Sequence, residues 1–256
     1  NHFEPGWSTN GVLDHGTQMK RLLEYHELAR ATGTAVIDAD GTKFRHTNFY
    51  PAEQYHPEIL DIMAEMQSEG LGEVEVHLHH GVEQPDTAEN LQKTLLEFRD
   101  TLAERHKCLS REDGDDTPRY AFVHGNLALA NSCGGELCGV DNEMAILRDT
   151  GCYADMTLPS APDRSQVAMT NSIYVYDGDP EQAVPHAHGH RLNGNGKDVR
   201  LPLIMTGPLA FDLRTRFPRP RIDDGALTSA LRSEMSRFDR WCSTNITVGG
   251  RSDVLF

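Results

Sequence analysis

The sequence lacks the main features of membrane-spanning and nucleic-acid-binding proteins. It contains no run of about 18 apolar residues, which a membrane-spanning helix needs. Its 24 basic residues stand against 39 acidic residues, for a formal charge of −15 over 256 residues. Because phosphate binding needs clustered Lys and Arg, this charge argues against nucleic acid and against anionic membranes as partners.

Cysteine is sparse, and no secretion signal is visible. The five cysteines are Cys108, Cys133, Cys138, Cys152 and Cys242. An odd number without a dense framework indicates reduced thiols, and free or buried thiols are a simpler interpretation than a bond or shared metal ion at Cys133 and Cys138. No basic segment followed by an apolar core opens the chain, so we predict a cytoplasmic protein.

Several common catalytic motifs are absent as well. No G-x-G-x-x-G follows the first predicted strand, and no P-loop or H-E-x-x-H occurs. The stretch GNLALANS (125–132) contains no G-x-S-x-G, so a nucleophile elbow is not supported. These absences argue against a dinucleotide fold, a P-loop nucleotide site, a typical metalloprotease and a serine hydrolase.

Helix-like and strand-like stretches alternate along the chain. Helical spacing of apolar residues covers 17–31, 56–70, 86–107, 141–151 and about 223–242. Strand-like stretches cover 33–41, 73–80, 120–126, 152–160, 172–177 and 201–209, and 253–256 begins another. The stretch 185–197 is predicted to be a loop.

This alternation predicts an α/β fold of parallel βαβ units. The number of units favours a barrel of parallel strands, in a single domain over 1–256. The chain opens on NHFEPGW, which is typical of the exit from a strand, and closes on DVLF. We therefore expect native flanking segments beyond both ends.

Histidines cluster at the end of one predicted strand, EVEVHLHHG (73–81). Residues two apart in a strand share a face, so His77 and His79 point the same way and His80 begins the following loop. Two imidazoles on one face can chelate Zn²⁺ or a similar ion, at about 2.0–2.1 Å per nitrogen. Barrel active sites lie at the carboxyl ends of strands, where this cluster falls.

Polar residues recur at other predicted strand ends, and a barrel would bring them together. These residues are His2, Glu4, His124, Asn126, Asp155, Ser160, Asp163, His186, His188 and His190. Hydrogen bonding within a loop explains His124 or Asp155 alone equally well, and it explains His188 and His190 better than a site does.

Six segments, in order, resemble an uncharacterised bacterial group of the polysaccharide deacetylase-like (glycoside hydrolase/deacetylase) barrel superfamily: NHFEP, YPAEQY, EVEVHLHHG, FVHGN, GCYADMTLPSAP and LIMTGPL. The resemblance implies a distorted (β/α)7-like barrel in which an aspartate and two histidines hold a divalent metal. Asn1 and His2 stand where the deacetylases carry an aspartate pair. The deacetylases space the histidines of their second motif four apart, whereas here they are His77, His79 and His80.

The resemblance and the strand-end residues together predict a metal-dependent hydrolase that removes acetyl groups from a sugar or polysaccharide. The expected cofactor is Zn²⁺, with Ni, Mn, Fe or Co as alternatives. The expected ligands are His2, His77 and His79. We expect Asp155 or Glu4 to be the base, and His80 or His124 to be the acid or oxyanion stabiliser. The expected substrate contacts are Trp7, Asn126, Ser160 and His186.

Two further hypotheses stay open from the sequence. One is a metal-free glycoside hydrolase or lyase that uses carboxylates such as Glu4, Glu75 and Asp155. The other is a catalytically degenerate barrel that binds a carbohydrate or a partner protein, which Asn1 in place of an acid favours. The sequence leaves the sugar, the linkage and the oligomeric state open.

Overall fold

The structure is a computed structural model that describes residues 1–192, 199–212, 221–223, 246–248 and 251–253. The chain divides into two compact units. The first comprises Asn1–His79 and Lys93–Val123, and the second comprises His80–Gln92 and His124–Phe256. The expectation of one domain over 1–256 stays a prediction.

The first unit is built around parallel strands and the helices that connect them. Its helices are α1 (His15–Ala35), α2 (Pro57–Ser68) and most of α3 (Ala88–Asp100), which a short π-helical turn (Thr101–Arg105) extends. Its strands are β1 (His46–Pro51), β2 (Gly72–Leu78) and, up to Val123, β3 (Tyr120–His124). They lie in the order β1-β2-β3.

Helix α2 connects β1 to β2, which pair in parallel, with Pro51 opposite His77. Pro57 begins α2, where its missing N–H costs nothing. The buried residues of α2 recur at helical spacing and face the core: Ile59, Leu60, Met63 and Met66. This β1-α2-β2 unit presents the end of β2, with its histidines, beside the end of β1.

The second unit contains α4 (Glu143–Asp149) and four strands in the order β4-β7-β5-β6. The strands are β4 (Cys152–Asp155), β5 (Ser172–Tyr176), β6 (Gly189–Arg191) and β7 (Leu203–Thr206). Strand β4 pairs with β7 in parallel, whereas β5 is antiparallel to both β7 and β6. Two short antiparallel pairs follow, namely β8 (Ala210–Asp212) with β9 (Arg221–Asp223) and β10 (Ile246–Val248) with β11 (Arg251–Asp253).

The α/β class is confirmed, and β1 pairs with β2 and β4 with β7 in parallel. The finer prediction of a (β/α)7 barrel of parallel strands is not confirmed. Strand β5 runs antiparallel to its neighbours. Among the described residues, the strands of each unit form an open array, in the order β1-β2-β3 in the first unit and β4-β7-β5-β6 in the second.

The predicted strand at 33–41 is wrong. Helix α1 continues to Ala35, and only an isolated bridge between Ile37 and Lys43 follows. The carboxylates of Asp38 and Asp40 both accept a hydrogen bond from the backbone N–H of Thr42, at 2.9 Å each. Such side-chain bonds to the backbone stabilise a turn and compete with a strand.

The sequence did not predict strands β1 and β6, nor the short strands β8, β9 and β10. Strand β1 contains Asn48 and Pro51, which are rare in strands, and its four buried residues interrupt the usual alternation. Strand β6 lies within the predicted loop 185–197. The predicted helix at about 223–242 and the predicted strand at 253–256 lie outside the described residues, apart from Asp223 and Asp253.

No helix in the described ranges has the length and apolar character needed to cross a membrane.

Candidate functional site

The first unit gathers three histidines around one glutamate. Strand β2 places His77 and the residue that follows its end, His79, on one side. An isolated parallel bridge between His2 and Phe49 holds the segment that carries Glu4 against β1. We call His2, Glu4, His77 and His79 the Glu4 cluster.

The imidazoles of this cluster all approach the carboxylate of Glu4. The Nδ1 atom of His2 lies 3.6 Å from Oε1 of Glu4, and Nε2 of His77 lies 3.3 Å from the same oxygen. The Nε2 atom of His79 lies 3.8 Å from Oε2. The rings of His2 and His77 meet edge to face, with centroids 4.5 Å apart.

His77 is held in one orientation by the backbone. It is fully buried, and its Nδ1 lies 2.9 Å from the carbonyl oxygen of Val123. A carbonyl oxygen only accepts hydrogen bonds, so Nδ1 carries the proton and Nε2 of the neutral ring presents a lone pair to Glu4. Burial lowers the pKa of His77, although the nearby carboxylate of Glu4 opposes that effect.

Glu4 itself is ionised. Burial raises its pKa, but the neighbouring imidazoles of His2, His77 and His79 outweigh burial and hold the pKa of this carboxyl well below its usual range. A carboxylate that faces an imidazole lone pair at 3.3 Å is a pair of acceptors without a proton between them. A cation between the two atoms would satisfy both.

His79 differs from the other histidines of the cluster. Its Nδ1 lies 2.6 Å from Oε1 of Glu53, so a second carboxylate fixes its ring. The atoms of His2, Glu4 and His77 that can bind a metal all lie within 4.8 Å of one another, and His79 is not part of that set. Of the predicted ligands His2, His77 and His79, the structure brings His2 and His77 together with Glu4 in a group that could hold a metal ion.

The second unit contains a separate cluster of four buried side chains, which we call the Glu143 cluster: His80, His124, Cys138 and Glu143. Oε1 of Glu143 lies 3.1 Å from Nε2 of His80 and 4.0 Å from Nε2 of His124. Oε2 lies 3.5 Å from Sγ of Cys138 and accepts a hydrogen bond from the backbone N–H of Ala130 at 2.6 Å. The four potential ligand atoms lie within 4.8 Å of one another.

A second carboxylate orients His80. Its Nδ1 lies 3.1 Å from Oδ2 of Asp86, while its Nε2 faces Glu143. Burial lowers the pKa of His80, but bonds to Asp86, Cys138 and Glu143 outweigh burial and raise the pKa to about 12. Burial likewise raises the pKa of Glu143, but the nearby His124 and His80 bring it down to about 2.

Asp155, a predicted base, is fully buried at the end of β4. Both of its oxygens are engaged by Thr157, through the hydroxyl at 2.8 Å and the backbone N–H at 3.1 Å. The hydroxyl of Thr157 in turn accepts the backbone N–H of His124 at 2.9 Å. Burial raises the pKa of Asp155 to about 7, which suits a base, but its contacts are those of a residue that positions the His124 segment.

The predicted substrate-binding residues have different surroundings. Trp7 is 60% exposed, and its backbone N–H bonds the carbonyl of Glu4 at 3.0 Å. The amide of Asn126 donates to the carbonyl of His80 at 3.1 Å. Ser160 is buried and accepts a hydrogen bond from the hydroxyl of Ser165 at 2.8 Å. His186 is fully buried in the second unit.

Four side chains in or beside these clusters were not among the predicted site residues: Glu53, Asp86, Cys138 and Glu143. Glu53 lies in the short 3₁₀ turn after β1, and Cys138 lies in an irregular segment before α4. The only signal in the sequence was the short spacing between Cys133 and Cys138, and of these two cysteines only Cys138 belongs to the Glu143 cluster.

A third group, His15, His56 and Glu58, could also hold a metal, but its residues are only half-buried to exposed.

No protein-family model, no curated protein and no solved structure matches this chain. The deacetylase-like resemblance therefore stays a prediction, and the two clusters carry the functional argument.

Proposed function

We propose that the protein is a metal-dependent hydrolase that acts on a carbohydrate, and that it removes acetyl groups from a sugar or polysaccharide. The metal would be a divalent ion, with Zn²⁺ expected before Ni, Mn, Fe or Co. The geometry of the Glu4 cluster supports the metal, and the resemblance of the sequence to deacetylase-like barrels supports the substrate.

One observation carries the proposal: Nε2 of the buried His77 faces the ionised Glu4 at 3.3 Å while its Nδ1 donates to Val123. Metal-binding histidines typically donate their other ring nitrogen to a carbonyl or carboxylate in this way. A structural ion pair would need a protonated His77, which its burial disfavours.

In this proposal His2, Glu4 and His77 hold the ion. Three protein ligands leave a coordination position open, as catalytic zinc sites do. When bound, the metal would polarise the acyl carbonyl and lower the pKa of a water molecule towards about 7.

His79 is then the group that moves the proton. It lies beside the ligand set, with Nε2 3.8 Å from Glu4 and Nδ1 fixed by Glu53. A histidine oriented by a carboxylate is a common acid–base arrangement. This assignment takes the place of Asp155, His80 and His124 in the predicted mechanism. His80 and His124 belong to the Glu143 cluster, and both oxygens of Asp155 are engaged by Thr157.

The substrate assignment fits the surface chemistry. A neutral acetylated sugar is not repelled by a chain with a formal charge of −15. Trp7 is exposed and follows Glu4 closely in the chain, so its indole ring is available to stack on a sugar face.

The test is acetate release from a panel of acetylated chitooligosaccharides and acetylated xylan, with zinc-loaded protein. The His77→Ala variant is the comparison, and His188→Ala, an exposed histidine outside both clusters, is the matched control. We expect acetate release by the wild type and the control, and its loss in His77→Ala.

Equal release by His77→Ala would contradict the proposed site. Cleavage of glycosidic bonds that survives a chelator would favour the metal-free hydrolase. Sugar binding without any turnover would favour the degenerate binding barrel.

A further inference from the structure

The Glu143 cluster has no role in the chemistry proposed for the Glu4 cluster. Its four side chains are all buried, and they come from the segment after β2, the end of β3, the segment before α4 and α4 itself. A thiol, two imidazoles and a carboxylate converge there, which is costly in a protein interior unless each polar group has a partner.

We propose that His80, His124, Cys138 and Glu143 form a second metal site, a closed structural site for a divalent ion of the zinc class. The proposal does not rest on the hydrolase function, because it concerns different residues in a different unit.

The spacing of the donor atoms fits one tetrahedral ion. Bonds of about 2.0–2.3 Å to nitrogen, oxygen and sulfur place tetrahedral ligands about 3.3–3.8 Å from one another. Oε1 of Glu143 lies 3.1 Å from Nε2 of His80 and 4.0 Å from Nε2 of His124, and Oε2 lies 3.5 Å from Sγ of Cys138. Shifts of a few tenths of an ångström would bring all three into that range.

The surroundings of the cluster are those of a metal site. Asp86 fixes the distal nitrogen of His80, and such carboxylate–histidine pairs hold a ligating imidazole in its tautomer and orientation. The backbone N–H of Ala130 holds Glu143. The backbone N–H of Asn126 lies 3.2 Å from Nδ1 of His124, and this contact must open when Nε2 binds the ion.

A nearby buried imidazole gives an independent indication. His186 is fully buried, and neither of its ring nitrogens has a hydrogen-bond partner among the described residues. It lies within electrostatic reach of Glu143. Buried polar atoms without a partner commonly mark a bound water or ion. A metal ion bound by the four ligands would give the His186 ring a polar neighbour.

The exchange of protons for the ion conserves charge. Without metal, the bonds of His80 to two carboxylates make it a cation that balances Glu143. On binding, the Nε2 proton of His80 and the thiol proton of Cys138 are released, and the divalent ion replaces them. The Nε2 proton of His124 moves to Nδ1 of the same ring, which leaves the charge of that ring unchanged. The buried cluster is neutral before and after, so binding places no net charge in the interior.

The types and number of ligands indicate which metal ion the site would bind and that its role would be structural. Thiolate and imidazole ligands favour zinc-class ions over Mg²⁺ or Ca²⁺, which prefer oxygen. Four protein ligands leave no open position, which is typical of structural zinc sites. The site would connect the segment before α4 to His124 and stabilise the second unit.

The experiment is cobalt substitution of the full chain under reducing, anaerobic conditions, followed by absorption spectroscopy. A cobalt ion bound to sulfur gives an intense thiolate-to-metal charge-transfer band in the near ultraviolet. The Glu4 cluster contains no sulfur, so it cannot produce this band. We expect the band in the wild type, its loss in Cys138→Ser, and its retention in Cys133→Ser, whose thiol is also buried and free.

Absence of the band in the wild type at saturating cobalt would overturn the proposal, whatever metal the Glu4 cluster holds. Retention of the band in Cys138→Ser would overturn the ligand assignment. If Cys138→Ser does not fold, alkylation of the wild type mapped by mass spectrometry replaces it. Zinc must then protect Cys138 from alkylation at least tenfold relative to zinc-free protein, and equal labelling would contradict the site.

Discussion

Oε1 of Glu4 lies 3.3 Å from Nε2 of His77, on the side of the ring opposite its bond to the carbonyl of Val123. The carbonyl fixes the proton on Nδ1, so two acceptor atoms face each other in a half-buried site. A divalent ion between the two atoms would satisfy both acceptors and would not require a protonated buried histidine.

The Glu4→Gln substitution tests that relationship. The amide can donate a hydrogen bond to Nε2 of His77, so it satisfies the ring without an ion and removes the ligand charge. We expect zinc affinity at the Glu4 cluster to fall at least tenfold, as measured by competition with a chromophoric chelator. The Glu97→Gln variant, an exposed glutamate outside all three groups that could hold a metal, is the control. Unchanged affinity in Glu4→Gln would contradict the ligand role.

The Glu53→Gln substitution separates proton transfer from metal binding. Glu53 lies 2.6 Å from Nδ1 of His79 and outside the ligand set. We expect kcat for acetate release to fall by about 10²-fold or more, since general acid–base groups contribute on that scale. The zinc content should stay unchanged. A fall in zinc content equal to that in Glu4→Gln would instead place His79 among the ligands.

The core around α1 gives a stability prediction with an internal control. Leu22 is fully buried, whereas Leu28 in the same helix is 66% exposed. Leu22→Ala should lower the free energy of unfolding by about 2–5 kcal/mol, the usual range for a buried leucine. Leu28→Ala should change it by less than about 0.5 kcal/mol. Denaturant unfolding checks both values, and equal effects would contradict the packing of α1.

The pair of Arg30 and Glu69 predicts acid sensitivity in the first unit. Nε of Arg30 donates to Oε2 of Glu69 at 2.7 Å, and this bond is the main cause that lowers the pKa of Glu69 to about 2. A lowered pKa stabilises the fold above the unfolded value of 4.5, and that contribution is lost as the pH falls towards 2. The difference in Tm between wild type and Glu69→Gln should therefore be larger at pH 6 than near the folded-state pKa of about 2. A pH-independent difference would contradict the pair.

The buried carboxyl of Asp155 predicts the opposite dependence of stability on pH. Burial raises its pKa to about 7 from 3.8, so the folded chain holds a proton that the unfolded chain releases. Stability is lost as the pH rises from about 4 to about 7, by up to about 4 kcal/mol. Asp155→Asn should remove this loss, measured by urea unfolding in the presence of a chelator. An identical pH dependence in the variant would show that Asp155 ionises freely in the fold.

Local patterns in the sequence predict most of the helices and part of the Glu4 cluster. Helical spacing of apolar residues correctly predicts four helices. The stretches 17–31, 56–70, 86–107 and 141–151 correspond to α1, α2, α3 with its π-helical turn, and α4. The two-residue period of a strand predicts that His77 and His79 share a face, and both present Nε2 to Glu4. These features depend on residues close together in the chain.

The remaining features depend on distant contacts that no local pattern encodes. Glu143 reaches His80 across 63 residues, and Ala130, which holds Glu143, has a left-handed backbone with φ of 47°. Strand β5 runs antiparallel because its partners β6 and β7 both follow it in the chain without a predicted helix between them. A sequence that alternates strands and helices therefore predicts the α/β class but not the order and direction of these strands.

The most direct test of the account is the zinc content of protein purified without an affinity tag and dialysed against zinc and then against zinc-free buffer. We predict about two ions per wild-type chain, and about one in each of His77→Ala and Cys138→Ser, because the ligand sets are independent. His188→Ala should keep both ions. A wild type that retains no zinc, or a His77→Ala variant with the same zinc content as the wild type, would contradict the central claim that His77 and Glu4 hold a metal ion.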